Sequence, residues 1–190
     1  MIYASRMDAL TALHNRVSVS RLTEPAPDQP ALDNMFKAAM RAPDHGLLRP
    51  WRFLVLQGTA RERLGELCAQ AALQDEPELP PAQLDKLRSK PLRAPMIIVG
   101  ICSPRDHPKV PLLEQQLAAG AAINNLLIAA HAQGIGAIWR TGPMATHATV
   151  TGGLGLTAQE SILAFIYLGT PDGPLRPVKE EDFNPYVQDW

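Results

Sequence analysis

Apolar positions along this chain alternate between helical and strand-like spacing. Ala9, Leu10 and Leu13 recur at helical spacing within Met7–Asn15. A second helix is expected after an Asp28 cap, with Leu32, Met35, Phe36 and Ala39 on its buried face. Arg52–Gln57 has the apolar content of a strand and is closed by Gly58. Thr59–Leu73 reads as a further helix and Met96–Cys102 as a second buried strand. Leu113–Gln133 is the longest helical stretch, and it is apolar almost all round: Leu117, Ala118, Ala121, Ile123, Leu126, Leu127 and Ala130 leave no wide polar face. Such a helix is expected to be covered on every side, in the domain centre or in a subunit interface. Gly134 and Gly136 stop it, and Ala137–Arg140 and Ser161–Leu168 read as the next strands. Helices and strands mix without strict alternation, which predicts an α+β domain rather than a doubly wound sheet.

A length of 190 residues fits one domain spanning 1–190, able to bury roughly 70% of the surface exposed when unfolded. The 18 basic and 19 acidic residues are nearly balanced, so the basic excess that a nucleic-acid partner demands is missing. No apolar run reaches the roughly 18 residues of a membrane span, and the N-terminus lacks the basic-then-apolar pattern of a signal peptide. A soluble, cytoplasmic protein is expected. Cys68 and Cys102 fit no metal spacing and read as buried reduced thiols. Proline is enriched, with 18 residues, and clusters at Glu24–Pro30, Glu76–Pro81 and Pro171–Pro177, which read as ordered surface connections. The segment from about 171 to 190 is Pro-rich and polar, yet carries Phe183, Tyr186 and Trp190. Three aromatics need a surface to pack on, either the rest of the same domain or a partner subunit.

Candidate chemistry concentrates at chain turns. Asn15-Arg16-Val17-Ser18-Val19-Ser20-Arg21 places arginines around small hydroxyl residues where the first helix ends, a set of convergent donors suited to a phosphate monoester. A second basic turn follows, Arg41-Ala42-Pro43-Asp44-His45, and then a Pro50-Trp51 step into a strand. Together with Gly134-Ile135-Gly136-Ala137-Ile138-Trp139-Arg140-Thr141-Gly142 and Tyr167-Leu168-Gly169-Thr170-Pro171, the chain resembles the FMN-dependent nitroreductase family, in particular its short bacterial members. The resemblance runs in matching order from about Met7 to the C-terminus.

That resemblance implies a nitroreductase-like α+β fold with a central mixed β-sheet flanked by helices. It implies an intertwined homodimer with FMN at the subunit interface, the arm at about 171–190 wrapping the partner. Arg16, Val17 and Ser18 match the family's phosphate site. Arg41 and His45 match positions that reach the FMN bound mainly by the other subunit. Trp139, Arg140 and Thr141 match the segment lining the flavin ring, Arg140 being a second phosphate candidate. NAD(P)H is the implied co-substrate, with contacts assigned along Ala129, Ala130, His131, Ala132, Gln133 and Gly134, although a helix C-terminus repels a pyrophosphate. No side chain is assigned a catalytic role, since the cofactor carries the redox chemistry.

The chain also departs from the family. Larger members place Asn and Gln in the turn before Pro-Trp, where this chain has Leu47 and Arg49, and a lysine where it has Ser20. Negative charge at N1 of the reduced flavin then needs another cation, and Arg21, Arg41 and Arg49 are the candidates. Trp51 reads as a core aromatic at a strand start.

Other motifs are excluded. Gly134-x-Gly136 is preceded by a helix and followed by a strand, the reverse of a dinucleotide fingerprint. Gly152-Gly153-Leu154-Gly155 has no Lys-Ser/Thr after it and reads as the end of a short helix. The five histidines show no metal-ligand spacing, and no Gly-x-Ser-x-Gly elbow is present. The expected activity is transfer of hydride from NAD(P)H through FMN to nitroaromatic or quinone-like small-molecule acceptors in a ping-pong scheme. The rival readings are a flavin-binding storage or sensor protein with negligible turnover, and a flavin-dependent dehalogenase or flavin-degrading relative.

Overall fold

A computed structural model describes residues 7–190. The first helix, α1 (Ala9–Asn15), starts at Asp8, whose carboxylate accepts from the Leu10 and Thr11 N–H groups. A two-residue strand β1 (Leu22–Thr23) leads to α2 (Gln29–Ala39), which is capped by the Asp28 carboxylate and carries Pro30 in its first turn. Strand β2 (Trp51–Gln57) is followed by α3 (Thr59–Asp75), α4 (Pro81–Ser89) and β3 (Met96–Cys102). The long α5 (Leu112–Ala132), β4 (Gly136–Arg140), the short α6 (Ala148–Gly153) and β5 (Ser161–Pro171) complete the core.

Strand β5 lies at the centre, with β3 on one edge and β4 on the other; β2 pairs with β3, and β1 extends the C-terminal end of β5. Every strand pair among the described residues is antiparallel, where a mixed sheet was expected. The cause is α4, a helix for which the sequence carries no expectation beyond the proline-rich connection Glu76–Pro81 leading into it. One helix between β2 and β3 would return the chain parallel, whereas α3 and α4 fold back on each other and cancel one reversal. Their packing is close: a Cβ on Gly65 of α3 would collide with the Arg88 carbonyl of α4. Arg88 also bonds Glu66 at 2.8 Å.

Side-chain alternation along the strands divides the core between the two sheet faces. Met96, Ile98, Ala164, Ile166 and Leu168 pack under α2 and α5, together with Leu32, Met35, Ile123 and Leu126. Ile97, Val99, Ile101, Phe165 and Tyr167 pack under α3 and α6, with Leu64, Cys68 and Val150. Both cysteines are buried and unpaired. Gly136 is close-packed, because a Cβ there would strike the Leu22 side chain, and Gly134 adopts a left-handed φ of 75° at the stop of α5.

Two apolar surfaces depart from the expected burial. Leu10 and Leu13 of α1 are exposed, so this helix buries only Ala12. Helix α5 is buried along one side only: Leu112, Leu113 and Leu117 are each more than half exposed. The periodicity of α5 registered apolar positions on all sides without registering what covers them. The segment after β5 is exposed throughout, including Phe183, Tyr186 and Trp190. These aromatics therefore do not fold back onto their own domain.

Candidate functional site

Arg16 is the residue that closes α1, its N–H bonding back to the Ala12 carbonyl. The chain then runs extended beside β4, where the Val19 N–H donates to the Ala137 carbonyl at 2.9 Å. This brings Arg16 next to His131, near the C-terminal end of α5. Burial in the first place, and the Arg16 charge in the second, push the His131 imidazole down from its ordinary value. His131 Nε2 is buried without a hydrogen-bond partner, an orphan of the kind that marks a site awaiting a ligand. Arg16 itself forms no ion pair among the described residues.

Beside it, Ser18, Ser20, Arg21 and Arg176 line a cleft of about 240 Å³. Asp172 lines the cleft too and is paired with Arg21, so the donors left for an oxyanion are the two hydroxyls and the Arg176 guanidinium. Arg176, which sequence reasoning passed over as part of the proline-rich tail, is brought here because Asp172 ties the start of that tail to Arg21. The Arg21 guanidinium bonds Asp172 at 2.9 Å, and the Asp172 N–H donates to the Arg21 carbonyl at 3.0 Å. Arg21 thus carries a carboxylate partner, which weakens its candidacy as the free cation for a reduced flavin.

The second basic turn lies elsewhere. Helices α2 and α5 run antiparallel: Gln133 bonds Asn34 and the Ala31 carbonyl, and Asn125 bonds the Ala38 carbonyl. Continuing in that sense, His45 Nδ1 pairs with Glu114 at 2.6 Å, at the N-terminal end of α5. His131 and Glu114 are separated by most of a 21-residue helix, roughly 25 Å at 1.5 Å per residue. Within one protomer, Arg16 and His45 cannot touch one small ligand together.

The turn carrying His45 is strained. Gly46, Leu47 and Arg49 have φ values of 73°, 54° and 49°. Left-handed backbone at a leucine, and at the residue preceding Pro50, is costly, on the order of 1–3 kcal/mol each. The Asp44 carboxylate holds the turn by accepting from the Arg49 N–H at 2.6 Å, while Pro50 anchors its end in the core. The strain leaves the Leu47 side chain almost fully exposed, at the position where larger relatives place an asparagine.

The third candidate segment divides across the sheet. Arg140 extends from β4 onto the α3 side, its guanidinium 5.7 Å from the Tyr167 ring centre. Trp139 alternates to the opposite side and donates from Nε1 to the Leu163 carbonyl at 2.9 Å. Thr141 is exposed in the loop that follows. The structure therefore does not bring Arg140 into one cradle with Arg16.

Along the stretch considered for NAD(P), Ala130 is fully buried in the α2–α5 core. The Gln133 amide is committed to Asn34 and to the Ala31 and Ala129 carbonyls. Ala129, His131 and Ala132 are half-buried and Gly134 is exposed. The described residues include no cluster of three or more possible metal ligands, and no helix long and apolar enough to cross a membrane.

With this geometry in hand, the comparisons with known proteins are decisive for family. The profile of the nitroreductase family matches residues 13–170. This chain belongs to the nitroreductase family. It is 43% identical over 165 residues to YdjA of Escherichia coli (strain K12), an NAD(P)H nitroreductase by name, covering 87% of this chain and 89% of that protein. A Haemophilus influenzae protein of the same designation is 36% identical over 187 residues, covering 95% of this chain and 100% of the relative. Among solved structures, a nitroreductase-like family protein from Bacillus cereus superposes with a TM-score of 0.85 at 20% identity over 98% of both chains. A nitroreductase from Desulfovibrio desulfuricans in complex with FMN gives a TM-score of 0.70 at 24% identity over 95% of both chains. The nitroreductase fold and an oxidoreductase family are thereby established, as the motifs around Arg16, Arg41 and Gly134 had implied.

Proposed function

We propose that this nitroreductase-family protein is an FMN-dependent NAD(P)H oxidoreductase that works as a homodimer with its flavin between subunits. The observation that carries this reading is the separation of Arg16 and His45 along α5. Residues matching one flavin site lie at opposite ends of a helix that leaves apolar Leu113 and Leu117 exposed, and Leu10 and Leu13 of α1 are exposed as well. Two copies meeting along that helix would bring the Arg16 end of one chain to the His45 end of the other. The exposed Phe183, Tyr186 and Trp190 supply a second surface that needs a partner.

The donor set fits FMN. Arg16 and Ser18, supplemented by Ser20 and Arg176, would hold the phosphate, with His131 Nε2 as a further polar group freed for the ligand. Arg41, His45 and the Leu47 side chain would close the site from the partner's turn. When bound, FMN supplies two-electron chemistry between NAD(P)H and a flat acceptor, a nitroaromatic or quinone, in ping-pong order. The chain's contribution is to orient the ring through the backbone of Trp139–Gly142 and to hold positive charge near it. Arg21 is neutralised by Asp172, so Arg41 and Arg49 of the partner's turn are left as the cations for that role. NAD(P)H needs no cradle of its own in this scheme, in keeping with the structural commitments of Ala130 and Gln133.

The test is an anaerobic titration of the FMN-loaded protein with NADH and NADPH, followed by a nitroaromatic. Bleaching of the flavin and its return on adding the acceptor is the expected result. A flavin that binds but does not bleach would replace this reading with storage or sensing.

A further inference from the structure

On the α3 side of the sheet, away from Arg16 and His131, lies a cavity of about 410 Å³. Three of its lining residues are cations: Arg140 from β4, and Lys90 and Arg93 from the short 3₁₀ turn that follows α4. None of its lining residues is acidic, and none of the three cations forms an ion pair among the described residues. Lys90 and Arg93 are exposed and Arg140 is half-buried, so the three charges give the cavity a positive potential with no counter-charge in its lining. Arg140 is fixed over the Tyr167 ring, which leaves its remaining guanidinium edge free. The opposing walls are apolar and flat, formed by Phe165, Tyr167, Leu64 and Met144. Burial first, and Cys68 second, raise the Tyr167 hydroxyl above its ordinary value, and the Arg140 and Arg93 charges oppose that rise.

We propose that this cavity is a binding site for a flat aromatic dianion, its two negative groups held by Arg93, Lys90 and Arg140 and its ring packed against Phe165 and Tyr167. Two features select that class. A monoanion would leave two of three cations uncompensated, whereas a dianion leaves one. Inorganic phosphate matches the charge but leaves the aromatic walls wet, and the volume lies within the range of small-molecule pockets. The cavity shares its Trp139–Gly142 wall with the proposed flavin site and to that extent rests on that reading, whereas Lys90 and Arg93 belong to no element assigned to FMN.

The experiment is isothermal titration of the purified protein, carrying whatever flavin it holds, with phthalate, the neutral phthalamide and inorganic phosphate. Phthalate is expected to bind at one site per chain, on the order of tenfold or more tighter than phthalamide or phosphate. Arg93→Ala and Lys90→Ala are each expected to weaken phthalate by about tenfold while flavin content, read from its absorbance, stays at the wild-type level. Equal or absent binding of phthalate and phthalamide would overturn the proposal, and so would phosphate binding as tightly as phthalate. Loss of flavin from Arg93→Ala would overturn it in another way, by showing that the cations serve FMN. A flavin that NAD(P)H cannot bleach would refute the oxidoreductase reading and leave the phthalate result to stand alone.

Discussion

Arg52 and Glu160 form a two-pronged ion pair, Nε to Oε1 at 2.6 Å and Nη2 to Oε2 at 2.7 Å, that locks the start of β2 to the loop entering β5. Glu160 also accepts from the Thr157 N–H, and only 7% of its side chain is exposed. The Arg52 guanidinium beside it lowers the Glu160 carboxyl from 4.5 to about 2. A carboxyl depressed in the folded state stabilises the fold above its unfolded value of about 4.5, and that contribution is lost as pH falls toward about 2. Glu160→Gln is expected to cost about 1–2 kcal/mol at neutral pH, less than the full shift because Arg52 is one-third exposed and screened. Urea melts from pH 7 to pH 3 check it: the gap between wild type and variant should narrow below pH 4.5, and a constant gap would mean that the pair contributes through packing alone.

At Leu47 the left-handed φ of 54° sits on an almost fully exposed side chain, so shortening it removes strain and loses little packing. Leu47→Gly is therefore expected to raise stability by about 0.5–1 kcal/mol, the opposite of the usual leucine-to-glycine result. Because the same side chain is proposed to close the partner's flavin site, the variant should also bind FMN more weakly. Thermal melting and flavin content report the two effects separately.

The open face of α5 makes a prediction about assembly. Leu117→Glu places a charge on the proposed subunit contact but adds no buried charge within the protomer, where Leu117 is mostly exposed. Sedimentation equilibrium should show the wild-type dimer replaced by monomer, with FMN lost and circular dichroism unchanged. A dimer that persists would move the interface away from this helix.

Between α3 and α4 there is no room at Gly65, where the Arg88 carbonyl stands against the missing Cβ. Gly65→Ala should cost about 1–3 kcal/mol in urea unfolding. Gly152 of α6 has open space around it and no left-handed φ, so Gly152→Ala is expected to stay within about 0.5 kcal/mol of wild type. Equal effects would mean that the α3–α4 contact is loose.

The pattern of apolar residues located most of the architecture. Met96–Cys102 was found at its observed limits because β-branched residues buried on both faces leave an unbroken signal. Helix α4 was missed because Leu84 and Leu87 are its only large apolar residues and prolines precede it. That omission also hid why β2 and β3 are antiparallel. At the candidate site, the residue types around Arg16 and Ser18 were legible, but their neighbours were not. Arg176 reaches the Ser18 cleft through the Asp172–Arg21 pair, a contact across 151 positions that no local pattern encodes. Alternation along a strand already sends Trp139 and Arg140 to opposite faces, but which face each takes depends on the register with Ile166 and Phe165, which spacing does not show.

The placement of Arg16 and His45 at opposite ends of α5 has a genetic corollary. In the proposed dimer, a chain defective at Arg16 and a chain defective at His45 would each fail alone, because every site in either homodimer carries a lesion. In a mixed dimer the two lesions fall in the same site and the other site is assembled from undamaged ends. Co-expression of two inactive alleles with random pairing should then restore about a quarter of the activity, and a purified mixed dimer about half, a fraction that reports how many chains build one site.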